Sequence, residues 1–153
     1  MAPRSPVLAV VGPGRDASAE ELASAEEAGA AIASAGAVLI CGGLGGVMEA
    51  ACRGARSEGG MTIGLLPGTD REEANGWVVL ALPTGLGEGR NALIVRAADA
   101  IVAVGGEWGT LSEIALARKA GKPVAGLRSW DLEGVEPFDT AAQAVAALLH
   151  KLG

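Results

Sequence analysis

The chain has 153 residues and a mass of 15.1 kDa, which is room for one α/β domain and little more. Half of it is hydrophobic and a fifth is charged, so it buries a real core and is not disordered. A net charge of −6 and an isoelectric point near 4.8 argue against nucleic acid, whose phosphates need a basic face, although an electropositive pocket inside an acidic surface is compatible with both.

The residue counts exclude further chemistry. His150 is the only histidine, three residues from the end, which removes a Ser/His/Asp triad and a His-based metal site. Cys41 and Cys52 form no CxxC pair and read as buried thiols of a cytoplasmic protein. No apolar run approaches the roughly 18–20 residues of a membrane span, and Ser5–Val11 is broken too soon by Gly12-Pro13-Gly14 to be a signal peptide. With 31 Ala and 24 Gly, the chain suits helices lying close against a sheet with glycine loops between them.

Short apolar runs alternate with amphipathic stretches. Val7–Val11 reads as a first strand, and Ser18 to Glu21 is a capping box opening a helix that closes near Gly36. Ala37–Cys41 is a second strand, followed by the loop Gly42–Gly46. The next helix carries Met48, Ala51, Cys52 and Ala55 on one stripe. Thr62–Leu66 and Val78–Leu82 are strands separated by the polar loop Pro67–Gly76. A helix of about ten residues follows the loop Pro83–Gly89. Ile101–Val104 is a strand, Thr110–Ala120 a helix ended by Gly121 and Pro123, and Val124–Leu127 the last strand. Asp139 caps a final helix bearing Ala144, Val145, Leu148 and Leu149. Strands apolar on both faces and alternating with helices predict a doubly wound, mostly parallel sheet with helices on both faces, a Rossmann-like three-layer sandwich over residues 1–153. Ligands of such folds bind beyond the carboxyl ends of the strands, where these glycine loops gather.

Four segments carry candidate chemistry. Gly12-Pro13-Gly14-Arg15-Asp16-Ala17 matches G-x-G-x-x-A, but the acidic ribose ligand that completes a dinucleotide site is replaced by Cys41-Gly42-Gly43. Gly12 is then a tight turn or a nucleotide-edge contact. Gly43, Gly45 and Gly46 either expose amides to an anion at a helix start or let helix and sheet approach closely. In Gly105–Glu113, a strand runs into glycines and then a helix, so Gly105, Gly106, Gly109 and Thr110 could cradle a phosphate beside Glu113. Thr110 and Glu113 also satisfy a plain capping box. Arg90 stands in a first helical turn, where the dipole disfavours a cation, on the face of Ile94 and Ala97. It requires an anionic partner, either a ligand or a carboxylate such as Glu113. Trp77, Trp108 and Trp130 fall in or beside loops, as subunit contacts or local plugs.

The run Gly42-Gly43-Leu44-Gly45-Gly46-Val47-Met48-Glu49-Ala50-Ala51, with Gly59-Gly60, Gly89-Arg90-Asn91 and Ala98–Glu113, resembles the LOG (Lonely Guy) family, once labelled lysine decarboxylase-like. The resemblance runs from Val7 to Trp130 and is greatest to small Rossmann-like members that also resemble molybdenum-cofactor carrier proteins. Arg90 and Glu113 keep the family's 23-residue separation. The resemblance implies a nucleoside 5′-monophosphate phosphoribohydrolase. Glu113 would stabilise the oxocarbenium-like transition state, Arg90 would anchor the substrate, and neither metal nor cofactor would be needed. It also implies a homodimer or homotetramer. Three departures weaken the enzyme signature: Gly105 replaces the family's Pro, Glu107 its second Gly, and Asn91 its Lys. The alternative is a non-catalytic carrier or sensor of a phosphorylated nucleotide or pterin. Decarboxylation is discarded, because a pyridoxal enzyme needs a pocket lysine for its Schiff base, and Lys119, Lys122 and Lys151 stand at a helix end, a strand start and the C-terminus.

Overall fold

A computed structural model describes residues 3–153. Among them, seven parallel strands form one sheet in the order β4-β3-β2-β1-β5-β6-β7. The strands are β1 (Val7–Val11), β2 (Val38–Cys41), β3 (Thr62–Leu66), β4 (Leu80–Pro83), β5 (Ala100–Val104), β6 (Val124–Leu127) and β7 (Val135–Pro137). The helices are α1 (Ala19–Ser34), α2 (Val47–Ser57), α3 (Arg90–Ala97), α4 (Trp108–Lys119) and α5 (Ala141–Leu152). The expected doubly wound Rossmann-like fold is the observed one.

Alternation along the central strands divides the core in two. Leu8, Val10, Leu39, Val102 and Val104 pack under α1, α2 and α5. Ala9, Val11, Ile40, Ile101 and Ala103 pack under α3 and α4. Both faces of the central strands are therefore dry, which is why these runs read as continuously apolar.

Small residues let α1 and α2 pack backbone to backbone. A Cβ at Gly29 would lie 1.9 Å from the Ala51 carbonyl oxygen, and one at Gly54 would lie 1.9 Å from that of Glu26. The Arg53–Glu26 ion pair at 3.3 Å spans the same seam.

The structure corrects several boundaries. β4 begins at Leu80 rather than Val78, because the preceding chain is held by Thr62: its hydroxyl donates to Trp77 O (2.6 Å) and accepts from Val79 N (2.9 Å). A seventh strand, β7, follows the strand expected to be last; its Val-Glu-Pro sequence has no apolar run, and its proline is tolerated at a sheet edge. α3 has eight residues and follows a 3-10 turn over Gly87–Gly89. Thr140, not Asp139, caps α5, its hydroxyl accepting from Gln143 N. α4 starts at Trp108, two residues before the expected Thr110.

Replacing Gly54 by Val should lower stability by about 1–3 kcal/mol through overpacking, read as a shifted denaturation midpoint. Gly45→Ala, with open space around the position, should leave the midpoint within about 0.5 kcal/mol. Equal midpoints for parent and Gly54→Val would contradict the helix seam.

Candidate functional site

The sheet places one crevice by topology. β1 and β5 are neighbours, but β1 leads away toward β2 and β5 away toward β6, so the loops after them diverge. Into this opening come Gly12–Asp16 after β1, Gly42–Gly46 after β2 and Gly105–Glu107 after β5.

The glycines divide into those that shape the loops and those that stay open. A Cβ at Gly12 would lie 2.7 Å from the Val104 carbonyl, so Gly12 seats the first loop against β5. Gly46 has φ +65° and faces the Gly14 carbonyl, 2.1 Å from where its Cβ would stand. The Pro13 carbonyl accepts Val47 N at 3.0 Å, so the first loop itself closes the start of α2. Gly43 is buried at φ +77°; its N–H donates to Cys41 Sγ at 3.3 Å. Gly105, also buried, has φ +75°, donates to Leu127 O at 3.1 Å and abuts the Glu21 carboxylate. The backbone amides of Gly43 and Gly105 are spent within the protein. Gly45, Gly106 and Gly109 are exposed with no atom crowding the Cβ position.

Thr110 and Glu113 do not form a capping box. The N-cap of α4 is Glu107, whose side chain makes no capping bond, so Thr110 is already one turn inside the helix and is buried. Gly105, turning in the left-handed region, lets the helix begin early. The first amides of α4 therefore face the crevice without a side-chain cap, a favourable place for an anion.

Arg90 is buried to 9% exposure at the start of α3. Its Nε donates to Leu65 O at 2.9 Å and its Nη1 to Asn91 Oδ1, while Nη2 lies where a Cβ of Gly42 would be 2.6 Å away. The guanidinium thus sits beneath the glycine loop, between the ends of β2 and β3. Burial lowers its pKa, opposed by the charge of nearby Glu113. Glu113 is partly buried, and burial pushes its carboxyl from the ordinary 4.5 up to about 7 against the pull of Arg90. No direct ion pair joins the two among the described residues. Arg90 and Glu113 are coupled by charge and not by a direct ion pair.

Further residues support these loops, and of them Asn75 and Arg128 were not legible from the sequence. Asn75, from the polar loop after β3, donates its Nδ2 to Gly43 O (3.3 Å) and Leu44 O (2.9 Å), and its backbone N–H also goes to Gly43 O (2.9 Å). It clamps the glycine loop; the Asn75-Gly76 pair was its only signal. Cys41 and Cys52 lie beneath that loop with sulfurs 3.5 Å apart, and the Cys52 thiol is pushed up first by its bond to Cys41 and then by burial. Trp108 is exposed and packs against Trp130, whose Nε1 donates to Glu107 O at 3.1 Å. After β6, Arg128 adopts φ +52° and pairs with Glu20 at the start of α1.

The family model described as the SLOG cluster4 family matches residues 5–151. The chain belongs to the SLOG cluster4 family. An uncharacterised protein of Archaeoglobus fulgidus is 42% identical over 139 residues, covering 90% of this chain and 91% of that one. The molybdenum cofactor binding protein of the phototrophic bacterium Rippkaea orientalis superposes with TM-score 0.94 at 35% identity, covering 99% of this chain and 100% of that one. The molybdenum cofactor carrier protein of Chlamydomonas reinhardtii superposes with TM-score 0.90 at 38% identity, over 97% of this chain and 99% of its own.

The raised Glu113 pKa has a consequence for stability. The native state holds this proton more tightly than the unfolded chain, so the stabilisation is complete below pH 4.5 and is lost as pH rises through about 7. Relative to Glu113→Gln, the parent should lose about 1–3 kcal/mol across that window, measured by denaturation at several pH values. A constant difference between the two proteins would contradict it.

Proposed function

We propose that this SLOG cluster4 protein binds and carries a small phosphorylated pterin, with the molybdenum cofactor as the ligand class. The observation that carries this reading is the likeness to two molybdenum-cofactor-binding proteins at 35% and 38% identity, over 99% and 97% of this chain. The site chemistry supports it. The uncapped start of α4 suits a phosphate, with Gly106, Gly109 and Gly45 leaving room for close backbone approach. Gly12, Gly43, Gly46 and Gly105 serve this site by shaping its walls, and Thr110 by packing under the helix start. Arg90 supplies positive potential from below while its Nε and Nη1 are committed to Leu65 and Asn91. Glu113, near its midpoint at neutral pH, donates a hydrogen bond when protonated, which suits a heterocycle's acceptor.

A second reading, the nucleoside 5′-monophosphate phosphoribohydrolase, is favoured by one specific observation. A carboxyl titrating near 7 is matched to general acid–base work at neutral pH. In that scheme Glu113 orients water and stabilises charge on the ribose, and Arg90 anchors the substrate. Glu107, exposed at the N-cap of α4, occupies the position of the second glycine in the hydrolase signature, a departure from that signature, while its charge weighs on the phosphate of either ligand.

The ligand in either reading is a small molecule rather than nucleic acid, given the net charge of −6. No helix among the described residues is long and apolar enough to cross a membrane. The protein works as a homodimer or homotetramer in this proposal, because the edge strand β4 exposes Leu80 and Leu82, and Leu86 and Leu93 lie exposed nearby in sequence.

Protein purified from cells that make the cofactor should release a fluorescent oxidised pterin on denaturation, and Arg90→Ala should release far less while keeping its fold. In parallel, incubation with AMP should yield no free adenine. Adenine release by the parent, abolished by Glu113→Gln, would instead select the hydrolase. Light scattering should give two or four times 15.1 kDa, and Leu80→Glu with Leu93→Glu should reduce that mass.

A further inference from the structure

Trp108 is spent on nothing the fold requires. It is 77% exposed, in a chain whose aromatic side chains are three Trp and one Phe. Its ring lies 5.2 Å from that of Trp130, tilted by 40°, a geometry that holds the exposed ring in place. Trp130 is in turn fixed, because its Nε1 donates to the Glu107 carbonyl at the turn that starts α4. The pair is therefore built onto the helix start itself.

The setting of this ring is glycine-rich and mixes polar with apolar side chains, Leu116 among the latter. Trp108 and Gly109 line a cavity of about 550 Å³ together with Ser112 and with Gly89 and Asn91, the two residues flanking Arg90. Gly106 and Gly109, on either side of Trp108, have open space where a side chain would stand. One flat apolar face is thus presented to water beside uncapped amides and next to the elements that hold the buried guanidinium. Planar heterocycles bind such surfaces by stacking, since each has a π-face whatever its hydrogen-bonding edge.

We infer that Trp108 is the stacking platform for the planar ring of the crevice's phosphorylated ligand, with Trp130 as its positioning residue. This rests on the reading of the crevice as a phosphorylated-ligand site. It assigns ring recognition to the β5–α4 and β6–β7 loops, and phosphate recognition to the backbone amides at the start of α4.

Calorimetric titration with neopterin monophosphate, AMP and ribose 5-phosphate separates the two parts, because the last probe has the phosphate and sugar but no ring. The parent should bind at least one ring-bearing probe more tightly than ribose 5-phosphate. Trp108→Ala should weaken that probe about 5- to 150-fold and leave ribose 5-phosphate unchanged. Trp108→Phe should restore most of the loss, and Trp130→Phe should fall between. Equal affinity of Trp108→Ala and parent for the ring-bearing probe overturns the platform alone, as does an equal loss for ribose 5-phosphate. A loss accompanied by a smaller assembly in light scattering also overturns it, and makes Trp108 a subunit contact. Failure of the folded parent to bind any of the three probes overturns the binding reading itself, and the platform with it.

Discussion

A guanidinium buried at the carboxyl edge of the sheet is the feature on which the crevice depends. A charge in such a place must be hydrogen-bonded and electrically compensated. Arg90 meets the first demand through Leu65 O and Asn91, and the second through the field of Glu113. Those bonds tie α3 to the end of β3, while the guanidinium fills the space under Gly42 and forbids a side chain there. The glycine loop is then closed from the other side by Asn75. Loop shape and crevice potential follow from one arginine and its partners, whereas the Glu113 carboxyl is raised by burial against that arginine's pull.

The same packing explains which parts of the molecule were legible in the sequence. The central strands were readable because both faces of Val7–Val11 and Ala100–Val104 are buried, which leaves no polar interruption. The capping box at Ser18 was readable because it is local, and both of its bonds form. Thr110 and Glu113 have the same spacing but were misleading: the helix begins at Trp108, where Gly105 has already turned the chain, so both residues lie past the cap. β7 was not legible, since a three-residue edge strand is made by its neighbour β6 and not by its own pattern.

The candidate site was legible in its residues more than in their roles. The helix dipole marks Arg90 as a cation in need of an anionic partner, and in the structure its charge couples to that of Glu113. The sequence leaves each glycine open between shaping a loop and facing a ligand. Gly12 and Gly46 exist to let one loop touch another, and Gly43 and Gly105 to reverse the chain, whereas Gly45, Gly106 and Gly109 remain open. Only contacts between segments far apart in sequence distinguish these classes. The Asn75 clamp, 32 residues from Gly43, is of the same kind.

These assignments converge on one place, the crevice where β1 and β5 part, and backbone amide resonances test it directly. Titration of isotopically labelled protein with neopterin monophosphate should shift Gly45, Gly106, Gly109 and Thr110 together. Gly36 and Gly121, which follow the carboxyl ends of α1 and α4, should not move. Shifts centred on those two glycines, or spread over the helix surfaces with the α4 start unmoved, would contradict a ligand site at the carboxyl edge.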